Sequence, residues 1–307
     1  MIIKHLRDPG EHWAVQVEPD LTLRGVDLRH PERPTLHFVH GVAFASKLYW
    51  PVLRELVDEN GLFLQDLQGH GDSDTGDSYP GWEASIDRIV AVMDAKGLDN
   101  AAAPVVGMGH SYGASLHMLM AAAEPERFSA LVLLDPMLMP QNMFELFTKL
   151  ENNPMIDRVR KKSTRWDDRE TAREYLRSKH AFKRWTDESI DAFIDHAMWE
   201  DDGGGVSLRC PPELEIEVLA KPLLTLWDAV ERLNVPTVIL YGNDRMSPIG
   251  PSCRKAAELN PCIEAVEMTG SHNFMLEHPQ ETAAQIRAAL NRLDAALVPE
   301  KPLAGTV

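Results

Sequence analysis

Short apolar runs alternate with amphipathic segments at both ends of the chain, and this rhythm constrains the fold more than any other feature. Strands separated by helices need crossover connections, which favours a mostly parallel sheet flanked by helices. The runs that predict the clearest strands are TLHFV (35–39), LFLQDL (62–67), ALVLL (130–134) and PTVILY (236–241). Apolar residues at helical spacing predict helices over 46–60, 82–96 and 112–123, and a last helix that carries Ile286, Leu290, Leu293 and Leu297.

The alternation stops after Asp135-Pro136 and resumes at residue 236. In between, the sequence is charged, rich in Met and Trp, and helix-like, with no run that predicts a central strand. We therefore predict one α/β core formed by residues 1–136 and 229–307, with residues 137–228 inserted as a helical cap.

Composition excludes several classes of protein. The formal net charge of −16 disfavours binding to nucleic acid and to anionic membrane surfaces. No window approaches 18 consecutive apolar residues, and the first residues lack the apolar segment of a signal peptide. Cys210, Cys253 and Cys262 form no CxxC pair, which indicates free thiols and no zinc site. We expect a cytoplasmic protein without stable membrane association and without a metal or cofactor.

The stretch VVGMGHSYGASL, residues 105–116, combines a strand, a tight turn and the start of a helix. A serine hydroxyl is a weak nucleophile that must be held where a base reaches it, and a sharp strand-to-helix corner exposes its side chain above the sheet. Gly109 and Gly113 allow the strand and the helix to approach each other without Cβ clashes. We therefore interpret Ser111 as a nucleophile; an ordinary tight turn is the alternative.

A nucleophilic serine needs a base and a carboxylate that orients the base. His272 lies in MTGSHNFMLEHP, after the last predicted strand and before the final helix. Asp244 directly follows VILYGN, at the carboxyl end of the preceding strand, and is the predicted carboxylate; an Asx-turn or a pair with Arg245 is the alternative interpretation. Asp135, at the end of the strand ALVLL, is the alternative acid.

The motifs in this order resemble those of the α/β-hydrolase superfamily, specifically serine-nucleophile members with a helical cap that act as esterases or lipases. They are HG at 40–41, DLQGHGDS at 66–73, GHSYG at 109–113, the aspartate at 244 and GSHNFMLEHP at 270–279. The resemblance implies Ser111, Asp244 and His272 as the catalytic triad, and the backbone N–H groups of Val42 and Tyr112 as the oxyanion hole. The loop GNDRMSP is about one residue shorter than the common family pattern, which keeps Asp135 as an alternative.

We expect carboxylic ester hydrolysis through an acyl-enzyme, with a small-molecule ester as substrate and an apolar acyl or alcohol part. An acyl thioesterase or a C–C bond hydrolase with the same triad is the alternative, and a non-catalytic ligand receptor is a third. The residues expected to line the pocket are His40, His110, Met137, Met246 and Phe274, although a stripe of Met and Phe side chains also suits packing of a cap onto a core.

Overall fold

A computed structural model describes residues 10–98, 103–143, 153–221 and 225–297. Eight strands form one sheet in the order β1-β2-β4-β3-β5-β6-β10-β11. They are β1 (Glu11–Glu18), β2 (Leu21–Leu28), β3 (Thr35–Val39), β4 (Gly61–Gln65), β5 (Val105–His110), β6 (Ala130–Leu134), β10 (Thr237–Gly242) and β11 (Ile263–Met268).

The sheet is parallel from β4 to β11 and antiparallel only at β1 and β2. The flanking helices are α1 (Trp50–Leu53), α2 (Trp82–Ala95), α3 (Tyr112–Ala123), α9 (Ile249–Leu259), α10 (Phe274–Glu277) and α11 (Pro279–Leu297). The predicted mostly parallel sheet with flanking helices is therefore confirmed. Within the described ranges, no helix has the length and hydropathy that a membrane crossing requires.

Alternate residues of the central strands bury against opposite layers of helices. In β6, Leu131 and Leu133 pack into the apolar cluster that includes α2 and α3. Val132 and Leu134 pack into a second cluster with α1, α11 and part of the inserted segment. Because both faces are covered, β6 is apolar without interruption, as the sequence predicts.

The predicted helix over 46–60 is shorter in the structure. It consists of a 3₁₀ turn, Ser46–Tyr49, followed by the four residues of α1. Backbone hydrogen bonds from Leu56 to Leu53 and from Glu59 to Leu56 continue the segment as successive turns.

The residues described between β6 and β10 include α4 (Pro154–Arg160), α5 (Arg169–Ser178), α6 (Asp187–His196), α7 (Pro212–Ala220) and α8 (Leu226–Arg232). They also contain a small antiparallel sheet, β7-β9-β8, formed by Arg165–Trp166, Val206–Leu208 and Met198–Glu200, which the sequence analysis did not predict. Strands of two or three residues are too short to show a period of two. The predicted boundary at residue 228 falls inside α8, which packs against α3 of the core.

Helices α5 and α6 lie antiparallel and are joined by ion pairs at regular spacing. The arginines of α5 and the aspartates of α6 each recur every fourth residue, so that each set lies on one helix face. The pairs are Arg169 with Asp195, Arg173 with Asp191 and Arg177 with Asp187. Most of these side chains are partly or largely exposed to solvent.

Candidate active site

The carboxyl ends of the parallel strands bring four loops to one edge of the sheet, where ligands of α/β proteins usually bind. Ser111 follows β5, Asp135 follows β6, and the turn beginning at His40 follows β3. His272 lies between β11 and α10. Residues separated by more than 200 positions in sequence thereby meet at one point.

Ser111 occupies a strained corner between β5 and α3. Its φ of 53° and ψ of −111° place it in the left-handed half of conformational space, which non-glycine residues rarely adopt. A Cβ on Gly113 would lie 2.2 Å from the carbonyl oxygen of Val39, and one on Gly109 would lie 2.6 Å from the carbonyl carbon of Gly113. The two glycines therefore allow the close approach that the corner requires.

His272 joins the serine to a carboxylate. Its Nε2 lies 2.9 Å from Ser111 Oγ, and its Nδ1 lies 2.5 Å from Asp135 Oδ2. The other carboxylate oxygen of Asp135 accepts a 2.7 Å hydrogen bond from the backbone N–H of Gly242, and the side chain is only 2% exposed. Because a carboxylate only accepts, Nδ1 carries the proton in the neutral ring, which leaves Nε2 free to accept the hydroxyl proton of Ser111.

Asp244 does not take the position beside His272. It lies exposed in the loop after β10, and its Oδ1 accepts a hydrogen bond from the backbone N–H of Met246 at 3.0 Å, which is an Asx-turn. The prediction of Asp244 as the partner of His272 is therefore corrected to Asp135, the alternative from the sequence. Strands β6 and β10 are neighbours, so both aspartates follow strands at the same edge of the sheet. Of the two, it is Asp135 whose carboxylate reaches His272.

Two buried histidines shape the turn after β3. His40 donates from Nδ1 to the carbonyl of Gly41 at 2.7 Å, and its Nε2 accepts from the backbone N–H of Leu67 at 3.0 Å. His70 Nε2 accepts from the N–H of Ala43 at 2.9 Å. Burial lowers the pKa of His40 to about 4 and that of His70 to about 3, so both rings are neutral near pH 7.

These contacts determine which backbone donors remain for a ligand. The C=O and N–H of one trans peptide point in opposite directions, so the bond from His40 to the Gly41 carbonyl turns the N–H of Val42 away from His40. The N–H of Tyr112 belongs to the first turn of α3, where amide groups have no acceptor inside the helix. A Cβ on Gly41 would lie 3.4 Å from Ser111 Cβ, which shows how closely the turn approaches the serine.

The residues predicted to line a pocket have different positions in the structure. His40, His110 and Phe274 are buried and form part of the framework behind the site, which corrects their assignment as pocket residues. Met246 is 91% exposed, on the surface loop of Asp244. Met137 is buried next to the corner between β5 and α3 at Ser111, which we call the elbow, and its N–H donates to Ser115 Oγ at 2.9 Å.

Sequence reasoning missed the residues that fix the loop of His272. Glu277, whose side chain is 1% exposed, accepts hydrogen bonds from both the Oγ and the N–H of Ser271. Arg184 of the inserted segment pairs with the same carboxylate at 3.2 Å, and the N–H of Thr186 donates to the carbonyl of Leu276 at 3.0 Å. No sequence pattern relates position 184 to position 277, because only the packed structure brings them together.

The inserted segment also contacts the turn after β3. The ring of Phe44 packs edge-on against Trp185 and Phe193, with centroid distances of 5.6 and 6.0 Å. The insertion therefore touches two of the loops that build the site.

Comparison with known proteins agrees with this fold. The model of the alpha/beta hydrolase family matches residues 38–285, which is most of the chain. The chain belongs to the alpha/beta hydrolase family. The fold of this chain is also that of the solved E-2-(acetamidomethylene)succinate hydrolase, with a TM-score of 0.75 at 19% identity over 92% of this chain and 100% of that one.

Curated relatives match the chain over shorter stretches. Lipase LipV of Mycobacterium tuberculosis is 36% identical over 98 residues, which are 32% of this chain and 35% of LipV. A probable alcohol acetyltransferase of Wickerhamomyces anomalus is 29% identical over 155 residues, 48% of this chain and 43% of that protein. The chain therefore matches less than half of the length of either relative.

Proposed function

We propose that this protein hydrolyses carboxylic esters through an acyl-enzyme, with Ser111 as nucleophile, His272 as base and Asp135 as acid. One observation carries the proposal: His272 bridges Ser111 Oγ at 2.9 Å and Asp135 Oδ2 at 2.5 Å. These distances lie within the hydrogen-bond reach that proton transfer requires. The similarity to a lipase over about a third of the chain supports an ester as the substrate class.

The mechanism follows from the position of each group. His272 Nε2 takes the hydroxyl proton while Ser111 Oγ attacks the ester carbonyl, and Asp135 stabilises the imidazolium that forms. The N–H groups of Val42 and Tyr112 stabilise the negative charge on the tetrahedral intermediate. The intermediate collapses when His272 returns the proton to the leaving alcohol. A water molecule, deprotonated by His272, then attacks the acyl carbonyl. The second tetrahedral intermediate collapses when His272 returns this proton to Ser111 Oγ, which breaks the bond between the serine and the acyl group, releases the carboxylic acid and restores the free enzyme.

A substrate panel tests this proposal. Nitrophenyl esters of increasing acyl length are compared with acyl-CoA thioesters and with vinylogous diketones from ring cleavage, and the serine is labelled with a fluorophosphonate. We expect turnover of the esters and labelling of one serine, and we expect Ser111→Ala to lose labelling and to lower kcat by about 10⁴-fold or more.

Ser129→Ala is the matched control, since Ser129 precedes β6 and donates only to the carbonyl of Val105 at the opposite edge of the sheet. It should label and turn over like the parent protein. Turnover of the diketones alone, or of the thioesters alone, would contradict the ester assignment. Absence of labelling would contradict the serine mechanism as a whole.

A further inference from the structure

A chain of hydrogen bonds runs behind the Ser111–His272 pair through two buried side chains, His110 and Tyr49. His110 Nε2 lies 2.9 Å from the backbone carbonyl oxygen of His272, and His110 Nδ1 lies 2.7 Å from the hydroxyl of Tyr49. The same hydroxyl oxygen accepts the backbone N–H of Gly41 at 3.2 Å. One connected set of bonds thereby reaches the elbow, the histidine loop and the turn after β3.

The chemistry of the partners fixes the direction of every bond. A carbonyl oxygen only accepts, so His110 donates from Nε2 to His272. In a neutral ring Nδ1 is then the acceptor, and Tyr49 donates its hydroxyl proton to it. Both side chains are at most 1% exposed. Burial lowers the pKa of His110 well below its ordinary value, so the ring stays neutral and keeps this tautomer.

We propose that His110 and Tyr49 are positioning residues that hold the loop of His272 and the turn of Gly41 in register with Ser111. The inference rests on the proposed function, because it assigns roles within the same site. His110 precedes Ser111 in the chain, so its ring moves with the elbow. Its ring also packs against that of His272, with centroids 4.7 Å apart. The two residues therefore connect the segments of the nucleophile and the base with the turn after β3, through hydrogen bonds to backbone groups and through ring packing.

The network matters because the three segments come from distant parts of the chain. Residues 41 and 272 lie in the loops that follow β3 and β11, and residue 110 ends β5. A displacement of about 1 Å in a catalytic group can cost about 10²-fold in rate. Loss of the network should therefore lower kcat more than it changes KM, since substrate binding surfaces remain in place.

Four variants test the inference. His110→Leu removes the donor and the acceptor, whereas His110→Gln retains one of each and is the conservative rescue. Tyr49→Phe removes only a hydroxyl and keeps the aromatic shape. His37→Leu is the matched control: His37 is also fully buried, on the neighbouring strand β3, and among the described residues its ring forms hydrogen bonds to Gln65 and His117 alone.

Each variant is measured for kcat and KM on a nitrophenyl ester, and the active fraction is counted by fluorophosphonate labelling. We expect kcat to fall by about 10- to 100-fold in His110→Leu and by about 5- to 10-fold in Tyr49→Phe, with KM changed by less than about threefold. We expect His110→Gln to recover most of the loss. His37→Leu should lower the unfolding temperature and leave the kcat of the folded protein unchanged.

Unchanged kcat in Tyr49→Phe would overturn the inference, and this variant decides the question even where His110→Leu does not fold. A His110→Gln variant as slow as His110→Leu would also overturn the inference. Loss of packing alone would slow both variants, whereas loss of the hydrogen bonds should be repaired by the glutamine. Failure of the proposed function has a different signature: the parent protein itself neither turns over esters nor labels, and the inference then falls with it.

Discussion

The catalytic edge of the sheet and the helix pair α5–α6 both depend on polar side chains, but in opposite environments. At the edge, neutral histidines and a carboxylate are buried and bonded at nearly every polar atom, as in Asp135, whose two oxygens each have a partner. In the helix pair, three arginines meet three aspartates where solvent reaches them. Buried polar groups are costly to leave unpaired, whereas exposed ion pairs contribute little. Mutation or a change of pH should therefore have strong effects in the first region. In the second region, mutation should have weak effects that depend on salt.

The largest effect of this comparison is the expected difference in kcat between variants of two aspartates that follow neighbouring strands, Asp135 and Asp244. Asp135→Asn should lower kcat for nitrophenyl esters by about 10³- to 10⁴-fold, because an amide does not stabilise the imidazolium and disfavours the required tautomer. Asp244→Asn, the matched control, should leave kcat within about twofold, since its side chain bonds only to a surface turn. A larger loss in Asp244→Asn than in Asp135→Asn would return the acid role to Asp244.

The second largest expected effect is a decrease in the free energy of unfolding at acid pH. Burial lowers the pKa of His37 and His40 from 6.5 to about 4, and that of His70 and His117 to about 3. The unfolded chain then binds more protons than the folded one below pH 6.5. The stability that these rings contribute above that pH is therefore lost as the pH falls from 6.5 toward 4 for His37 and His40, and toward 3 for His70 and His117. Well below pH 6.5 the loss approaches about 1.4 kcal/mol per pH unit for each ring.

Urea unfolding followed by circular dichroism between pH 7.5 and 5 measures this dependence. His37→Leu should reduce the slope of stability against pH, whereas His180→Gln, at an exposed histidine, should not. Equal stability at pH 7.5 and pH 5 would show that these rings are protonated in the folded protein without cost.

The smallest effect is expected in the inserted helix pair. Arg173→Ala removes the middle ion pair and should lower the free energy of unfolding by less than about 1 kcal/mol, because both partners are partly solvated. Urea unfolding at low salt and at about 1 M NaCl should show the difference between parent and variant shrinking, since salt screens exposed charges. Arg173→Lys is the charge-preserving control. A loss of several kcal/mol that salt does not change would mean that the pair is effectively buried.

The same contrast explains how much the sequence could predict. The alternation of strands and helices is a local pattern, and it predicted the parallel sheet. The corner at Ser111 and the position of His272 likewise depend on neighbours in the chain, and the structure brings the two side chains within hydrogen-bond distance. Where the evidence is local, sequence reasoning reached both the architecture and two residues of the site.

The remaining features depend on loop conformation and packing. Asp135 and Asp244 both follow strands at one edge, and only the backbone of each loop decides which carboxylate faces His272. Likewise, the position of His40 and His110 near the motifs suggested a pocket, whereas the closure of other loops over these rings buries them. The contact between Arg184 and Glu277 has no local signature at all.

Among the described residues, the non-glycine positions with positive φ are Ala43, Ser111 and Asp135, with values of 64°, 53° and 43°. Ser111 and Asp135, the proposed nucleophile and acid, each directly follow a strand, and Ala43 lies in the turn after β3 that contains Val42, the proposed oxyanion donor. Such a conformation costs roughly 1–2 kcal/mol per residue, against a total stability of about 5–15 kcal/mol for a typical domain. Selection for stability alone would favour glycine at these positions. The side chains at these three positions therefore mark places where the protein gives up stability for catalytic activity.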